Sequence, residues 1–148
     1  MAGDFIREVR AETLPTLSAD PTIIYTEGAT VYPEVVDKPK WPFLRWGEPA
    51  SSPLESACLN GARVTFTIHV FCRAREEDGR ITQTAEDYCS NITAQVKHVL
   101  HKRGWQTTWG RIKYRVTSSR LIRDAADNRA YHGVVQFEAR AIAEPEAD

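Results

Sequence analysis

Cysteine is scarce in this chain. The three present, Cys58, Cys72 and Cys89, are odd in number and no two lie at metal-ligand spacing, which argues against a disulfide framework and a zinc site. Cys72 falls in phase with the apolar side of a strand and Cys89 with the apolar stripe of a helix. Small buried thiols in a reducing compartment are expected. Long apolar runs are missing, so no membrane-spanning helix and no membrane partner is expected. Met1–Arg10 carries charges where a signal peptide needs an apolar core, which argues against secretion. An excess of either charge is missing as well. Nineteen Lys and Arg face 20 Asp and Glu, a net charge of −1, so no bulk field draws the chain to nucleic acid or to an anionic membrane. There is no Gly-rich phosphate loop, nucleophile elbow or kinase-like signature.

Histidine offers little chemistry by its spacing. His98 and His101 stand three apart with no acid in the metalloprotease pattern, and they fit better as positive charge at a helix C-terminus. His69 and His132 lie on strands and read as sheet-surface residues. No catalytic, cofactor-binding or metal-binding residue is assigned, no cofactor is expected, and the chain does not read as an enzyme.

What is present centres on Gly61–Gly104. Arg63–Cys72 alternates, with Val64, Phe66, Ile68, Val70 and Cys72 on one side and Thr65, Thr67, His69 and Phe71 on the other, the pattern of a strand. A charged turn, Arg73–Gly79, leads to a predicted helix over Thr82–Arg103. Its apolar stripe is Ala85, Tyr88, Cys89, Ile92, Val96, Val99 and Leu100, spaced along one face of a 3.6-residue repeat. Thr82 or Thr84 can cap the first turn, Glu86 and Asp87 suit its dipole, and Gly104 is placed as the terminating residue.

Upstream, Asp4–Leu17 predicts a short helix that Pro15 ends or bends, Ile23–Tyr25 a short strand or helical turn, and Thr30–Pro33 a short extended piece. Phe43–Trp46 is the first strand of the main sheet, and Glu48–Asn60, with two prolines and no period, reads as a mobile connection. Downstream, Trp105–Trp109 is a connection, and Arg111–Asp124 and Tyr131–Ala143 form a hairpin across the polar turn Asp124–Arg129. The fold class expected is α+β: a mostly antiparallel sheet with one main helix packed on a face, plus a short N-terminal helix. The chain, 1–148, is expected to be one domain, with 1–29 the N-terminal helix and connection, 30–143 the core and 144–148 a frayed acidic tail. Such a two-layer domain leaves sheet edges and one sheet face to be managed, and association with copies of itself is one way to do so.

Two charged loops are the candidate contact surfaces. Arg73, Arg75, Glu76, Glu77 and Asp78 occupy one, and Asp124, Asp127 and Arg129 the other. Between identical subunits the first can form reciprocal ion pairs. The Glu48–Asn60 loop is the candidate for ordering on docking. Arg111, Lys113 and Arg115 alternate on one strand face. Acids cancel the bases overall, so specific recognition of nucleic acid is not expected.

The order of several motifs resembles the tail-completion, or tail-terminator, family of long-tailed bacteriophages and gene transfer agents. The resemblance runs from Thr30-Val-Tyr-Pro33 through Pro42-Phe-Leu-Arg-Trp-Gly-Glu48 and Gly61-Ala-Arg-Val-Thr-Phe-Thr-Ile-His-Val-Phe71 to the helix ending near Leu100. It closes on Ser119-Arg-Leu-Ile-Arg-Asp124 and His132-Gly-Val-Val-Gln-Phe137. No single motif is specific; their order and spacing are. The resemblance implies a virion structural protein, assembled in the host cytoplasm, that forms a ring, usually hexameric, on the head-proximal end of the tail tube. Such a ring ends tube polymerisation and joins the tail to the head. The partners implied are sister copies, the major tail tube protein and a head-completion or connector protein, with DNA passing through the lumen unbound. Two other readings stand beside it: another neck or connector protein of the same particle, and a small ligand-binding or enzymatic α+β domain with a deep pocket.

Overall fold

In the computed structural model, which describes residues 4–54, 60–124, 126–127 and 129–144, helix α1 (Phe5–Ser18) begins where the Asp4 carboxylate accepts the Ile6 N–H at 3.0 Å. Pro15 lies inside this helix and does not end it. The carbonyl it leaves without a donor belongs to Ala11, which is exposed like Pro15 itself, so water can serve it. A single π-helical turn, Thr22–Thr26, follows, which decides the ambiguous Ile23–Tyr25 segment as helical.

The strands are β1 (Thr30–Tyr32), β2 (Phe43–Pro53), β3 (Asn60–Arg73), β4 (Arg75–Glu77), β5 (Arg80–Gln83), β6 (Gly104–Gln106), β7 (Gly110–Arg123) and β8 (Ala130–Ala143). Six of them form one sheet in the order β1-β2-β3-β8-β7-β6, and β4 and β5 form a separate two-stranded ribbon. In the main sheet only β1 runs parallel to its neighbour; the other pairings are antiparallel. The α+β architecture expected from the sequence is therefore the one found, with α2 (Ala85–Leu100) as its main helix.

Four segments differ from expectation. The region read as a mobile connection from Glu48 continues β2 as far as Pro53, paired to β3 up to Ala62, and Glu55–Leu59 lies outside the described residues. Pro49 is accommodated because the register shifts between Gly47 and Ala50, and Pro53 because it ends the strand. The charged turn after β3 is a ribbon whose two-residue tip, Asp78-Gly79, has φ of +53° and +77°, the geometry of a tight hairpin turn. Trp105 belongs to edge strand β6 rather than to a connection. Helix α2 is shorter at both ends. Thr84 is its cap, accepting from the Asp87 N–H at 3.1 Å, and Lys102, not Gly104, takes the left-handed position at φ +60°.

One face of the sheet carries the core. Val64, Phe66, Ile68, Val70 and Cys72 of β3 are buried, as are Leu44 and Trp46, Val135, Phe137, Ala139 and Ala141, and Ile112 and Tyr114 on the neighbouring strands. Trp46, Phe66 and Phe137 stack across three strands, with ring centroids 4.4 and 5.2 Å apart. Both helices lie on this face. Val9, Thr13 and Leu17 of α1 are buried in it, and the Thr13 hydroxyl sits 2.8 Å from the Tyr114 hydroxyl. On α2, Cys89 Sγ donates to the Val70 carbonyl at 3.6 Å. A Cβ on Gly133 would stand 2.5 Å from Thr93 Oγ1, so the missing side chain is what lets α2 approach β8. Each large apolar side chain hidden here contributes about 1.5–3 kcal/mol before its ordering entropy is subtracted. Among the described residues no helix or strand packs on the opposite face of the sheet centre.

Candidate assembly surfaces

The open face is organised by residues that the sequence scatters over 85 positions, Glu48, His69 and His132. Glu48 sits in the β2 bulge at φ +46°, a left-handed conformation that costs a non-glycine residue about 1–2 kcal/mol. The bend brings its carboxylate 2.5 Å from His69 Nε2, while His69 Nδ1 lies 2.6 Å from His132 Nε2. An ionised carboxylate only accepts, so His69 donates through Nε2–H and its Nδ1 accepts from His132 Nε2–H. Burial holds His69 below its ordinary pKa; the hydrogen bond to Glu48 opposes this and the Arg45 charge adds to it. Burial, followed by the His69 and Arg45 charges, lowers His132 to about 4. Both rings are neutral at pH 7. Gly47 makes room for the row, because a Cβ there would lie 2.9 Å from the His69 ring. Both nitrogens of His69 are engaged within the row, so the ring is held in place rather than poised to move a proton.

Aromatic rings extend the row to the end of the sheet. Phe71 stacks on His132 at 4.2 Å and on Phe43 at 4.8 Å, and Trp41 meets Phe43 edge-on at 5.0 Å. The Arg73 guanidinium lies 4.1 Å above the Trp41 ring, a cation–π contact. Sequence reading missed this cluster. It placed His69 and His132 correctly on strands but had no register to show that Phe71 faces His132 directly across β3 and β8.

Three of the eight predicted contact residues meet and the other five do not join them. Arg73, Asp127 and Arg129 come together: Arg73 Nε and Nη2 each lie 3.0 Å from Asp127 Oδ2, and Arg129 donates its backbone N–H to Asp127 Oδ1 at 3.0 Å. That backbone hydrogen bond, with the Arg73 guanidinium behind it, holds the Asp127 carboxyl below its usual range. Asp124 braces its own turn, accepting from the Ala126 N–H at 2.9 Å. Arg75 is drawn back towards the core, donating to the Thr26 carbonyl at 3.0 Å and lying 5.2 Å from the Tyr88 ring. Glu76, Glu77 and Asp78 point out from the ribbon, which also exposes Ile81 at 64%. Ala125 and Asn128 lie outside the described residues.

Among the described residues no cluster of His, Cys, Asp and Glu is arranged to hold a metal ion. Residues on separate elements meet instead on one uncovered sheet face and at one sheet end. These features define a two-layer α+β protein whose polar chemistry is spread over surfaces. Comparison with known proteins supplies the family. The family model for tail completion protein gp17 matches residues 14–142. The chain belongs to that family, and is a structural protein of a virion tail. It is similar in fold to a chain of the virion of a native gene transfer agent particle, with a TM-score of 0.72 over 91% of this chain and 95% of that one, at 16% identity. No curated protein sequence matches it.

Proposed function

We propose that the chain forms a closed ring, a hexamer, on the head-proximal end of the tail tube, where it stops the addition of tube subunits and presents a surface to the head-completion protein. Membership of the tail completion family over residues 14–142 carries this reading. The architecture supports it. Among the described residues helices cover one sheet face only, and β1 and β6 pair with three residues each of β2 and β7, leaving strand edges for other chains. The charged end formed by Arg73, Asp127 and Arg129 and the tip formed by Glu76, Glu77 and Asp78 are assigned to contacts with sister subunits or with the tube. DNA passes through the lumen without sequence-specific contact.

The test is genetic and structural. Loss of the protein should give tube polymers of uncontrolled length that do not join heads, seen by electron microscopy. Tails of normal length joined to heads in its absence would rule the role out.

A further inference from the structure

The open face of the sheet is electrically uneven in a way the net charge conceals. Arg63, Arg140 and Lys113 stand directly opposite one another on β3, β8 and β7. All three are exposed. Like charges in direct cross-strand register repel. The acid among them, Glu138, is already shared between Arg63 and Arg115, each at 2.9 Å. Arg140 and Lys113 have no acid within ion-pair distance among the described residues. Together these side chains line a groove of about 620 Å³, and Arg140 and Lys113 also line an adjoining groove of about 560 Å³ with Trp105 and Arg111. An isolated chain gains nothing from such a row. A partner that brings negative charge would relieve it.

The chain itself carries the complement. The β4–β5 ribbon projects Glu76, Glu77 and Asp78 around an Asp-Gly turn, three acids against one exposed base, Arg80, which faces Glu77 across the ribbon. It cannot reach the basic row of its own subunit, because ten residues of β3 separate Arg63 from Arg73, about 33 Å at the usual strand rise. The two surfaces can meet only between copies. Because they differ, the contact is head-to-tail, the kind that closes a ring when its rotation permits.

We infer that the acidic tip of the β4–β5 ribbon of one copy docks on the Arg63–Arg140–Lys113 row of the next. This rests on the ring reading and names its contact. Patches of opposite charge at two places on every subunit give the ring its direction and make assembly salt-sensitive. Duplex DNA is the competing occupant of a basic sheet face. The shared Glu138 and the matching acidic arm favour a second copy.

Charge exchange tests the contact. The full chain is followed by native mass spectrometry and electron microscopy, alone and with tail tube protein. K113E/R140E and E76K/E77K are each expected to lower ring yield at least tenfold, and equimolar mixing of the two variants should restore it, because in an alternating ring every tip then meets a row of opposite sign. The four-fold variant carrying both sets should restore it. Rings formed by both double variants as readily as by the wild type would overturn the contact and leave the ring reading standing. Failure of the four-fold variant to recover, while remaining folded by circular dichroism, would also overturn the contact. A wild-type chain that stays monomeric even with tube protein would overturn the ring reading and this inference with it. Retention of a random-sequence duplex that K113E/R140E alone abolishes, with rings intact, would assign the face to nucleic acid and overturn the contact too.

Discussion

Two aromatic ladders cross the same three strands on opposite faces of the sheet, and they are built differently. Beneath the helices, Trp46, Phe66 and Phe137 stack, with Phe66 and Phe137 each 1% exposed. On the other face, Phe43, Phe71 and His132 stack at similar distances, but the ladder ends in an imidazole tied to His69 and Glu48. The first is an interior that excludes water. The second is a largely sheltered row, with Phe43 at 8% and His69 at 7% exposure, tied together by polar contacts. The difference teaches that burial and order are separate properties here, and that the open face is specified almost as closely as the core.

The largest expected effect measures that contrast. Phe66→Ala should lower stability by about 3–5 kcal/mol, the range for deleting a buried aromatic ring. Phe71→Ala, on the half-covered ladder, should lose about half as much, because water can enter the space. Urea unfolding of both variants checks this. Equal losses would mean that the open face is as dry as the core and that the contrast fails.

Gly47→Ala comes next. Its new Cβ overlaps a ring fixed by two hydrogen bonds, so a loss of about 1–3 kcal/mol is expected, as for overpacking in a core. In a His69→Ala background the ring is gone and the same substitution should cost much less. That coupling, read from a double-mutant cycle, separates crowding against His69 from a backbone preference for glycine.

The two ladders also differed in how readily the sequence revealed them. Val64, Phe66, Ile68, Val70 and Cys72 alternate so regularly that the covered face was legible at once, and the α2 stripe from Tyr88 to Leu100 supplied its partner. Periodicity reports an apolar face and needs no register. The row on the open face depends on register, since Glu48, His69 and His132 meet only once β2, β3 and β8 are aligned. The Gly47–Ala50 bulge that aims Glu48 leaves no trace in composition. For the same reason β2 looked four residues long. Glu48–Pro53 has no alternation to read, being an edge strand exposed on both faces. Of the predicted contact loops, the charges were legible, while the pairing of Arg73 with Asp127 over 54 residues of sequence was not.

Acid should weaken the open ladder and spare the covered one. In the unfolded chain His132 takes up a proton near pH 6.5, whereas in the folded protein it does so only near 4. Between those values the unfolded state binds more protons, so stability is complete above about pH 6.5 and falls as the pH drops towards 4. With the ring only partly covered and its charge partly screened, the loss attributable to it is about 1–2 kcal/mol. His132→Gln should flatten this part of the profile, whatever it does to stability at pH 7. Thermal melts from pH 7.5 to 4.5 decide the matter, and an unchanged slope in the variant would remove the imidazole row from the account.

The smallest effect is expected where neither ladder reaches. Glu76 and Glu77 stand on the projecting ribbon, exposed, with Arg75 3.5 Å from Glu77 as the one ion pair at the tip among the described residues. Reversing both charges should move the stability of the isolated chain by no more than about 0.5 kcal/mol, since exposed substitutions away from packed features change little. A ribbon that adds nothing to its own subunit's stability is free to be shaped by what it touches elsewhere. A substantial loss on E76K/E77K in the monomer, measured by urea unfolding, would instead make the ribbon part of the fold, and the comparison would then be among three structural regions rather than two.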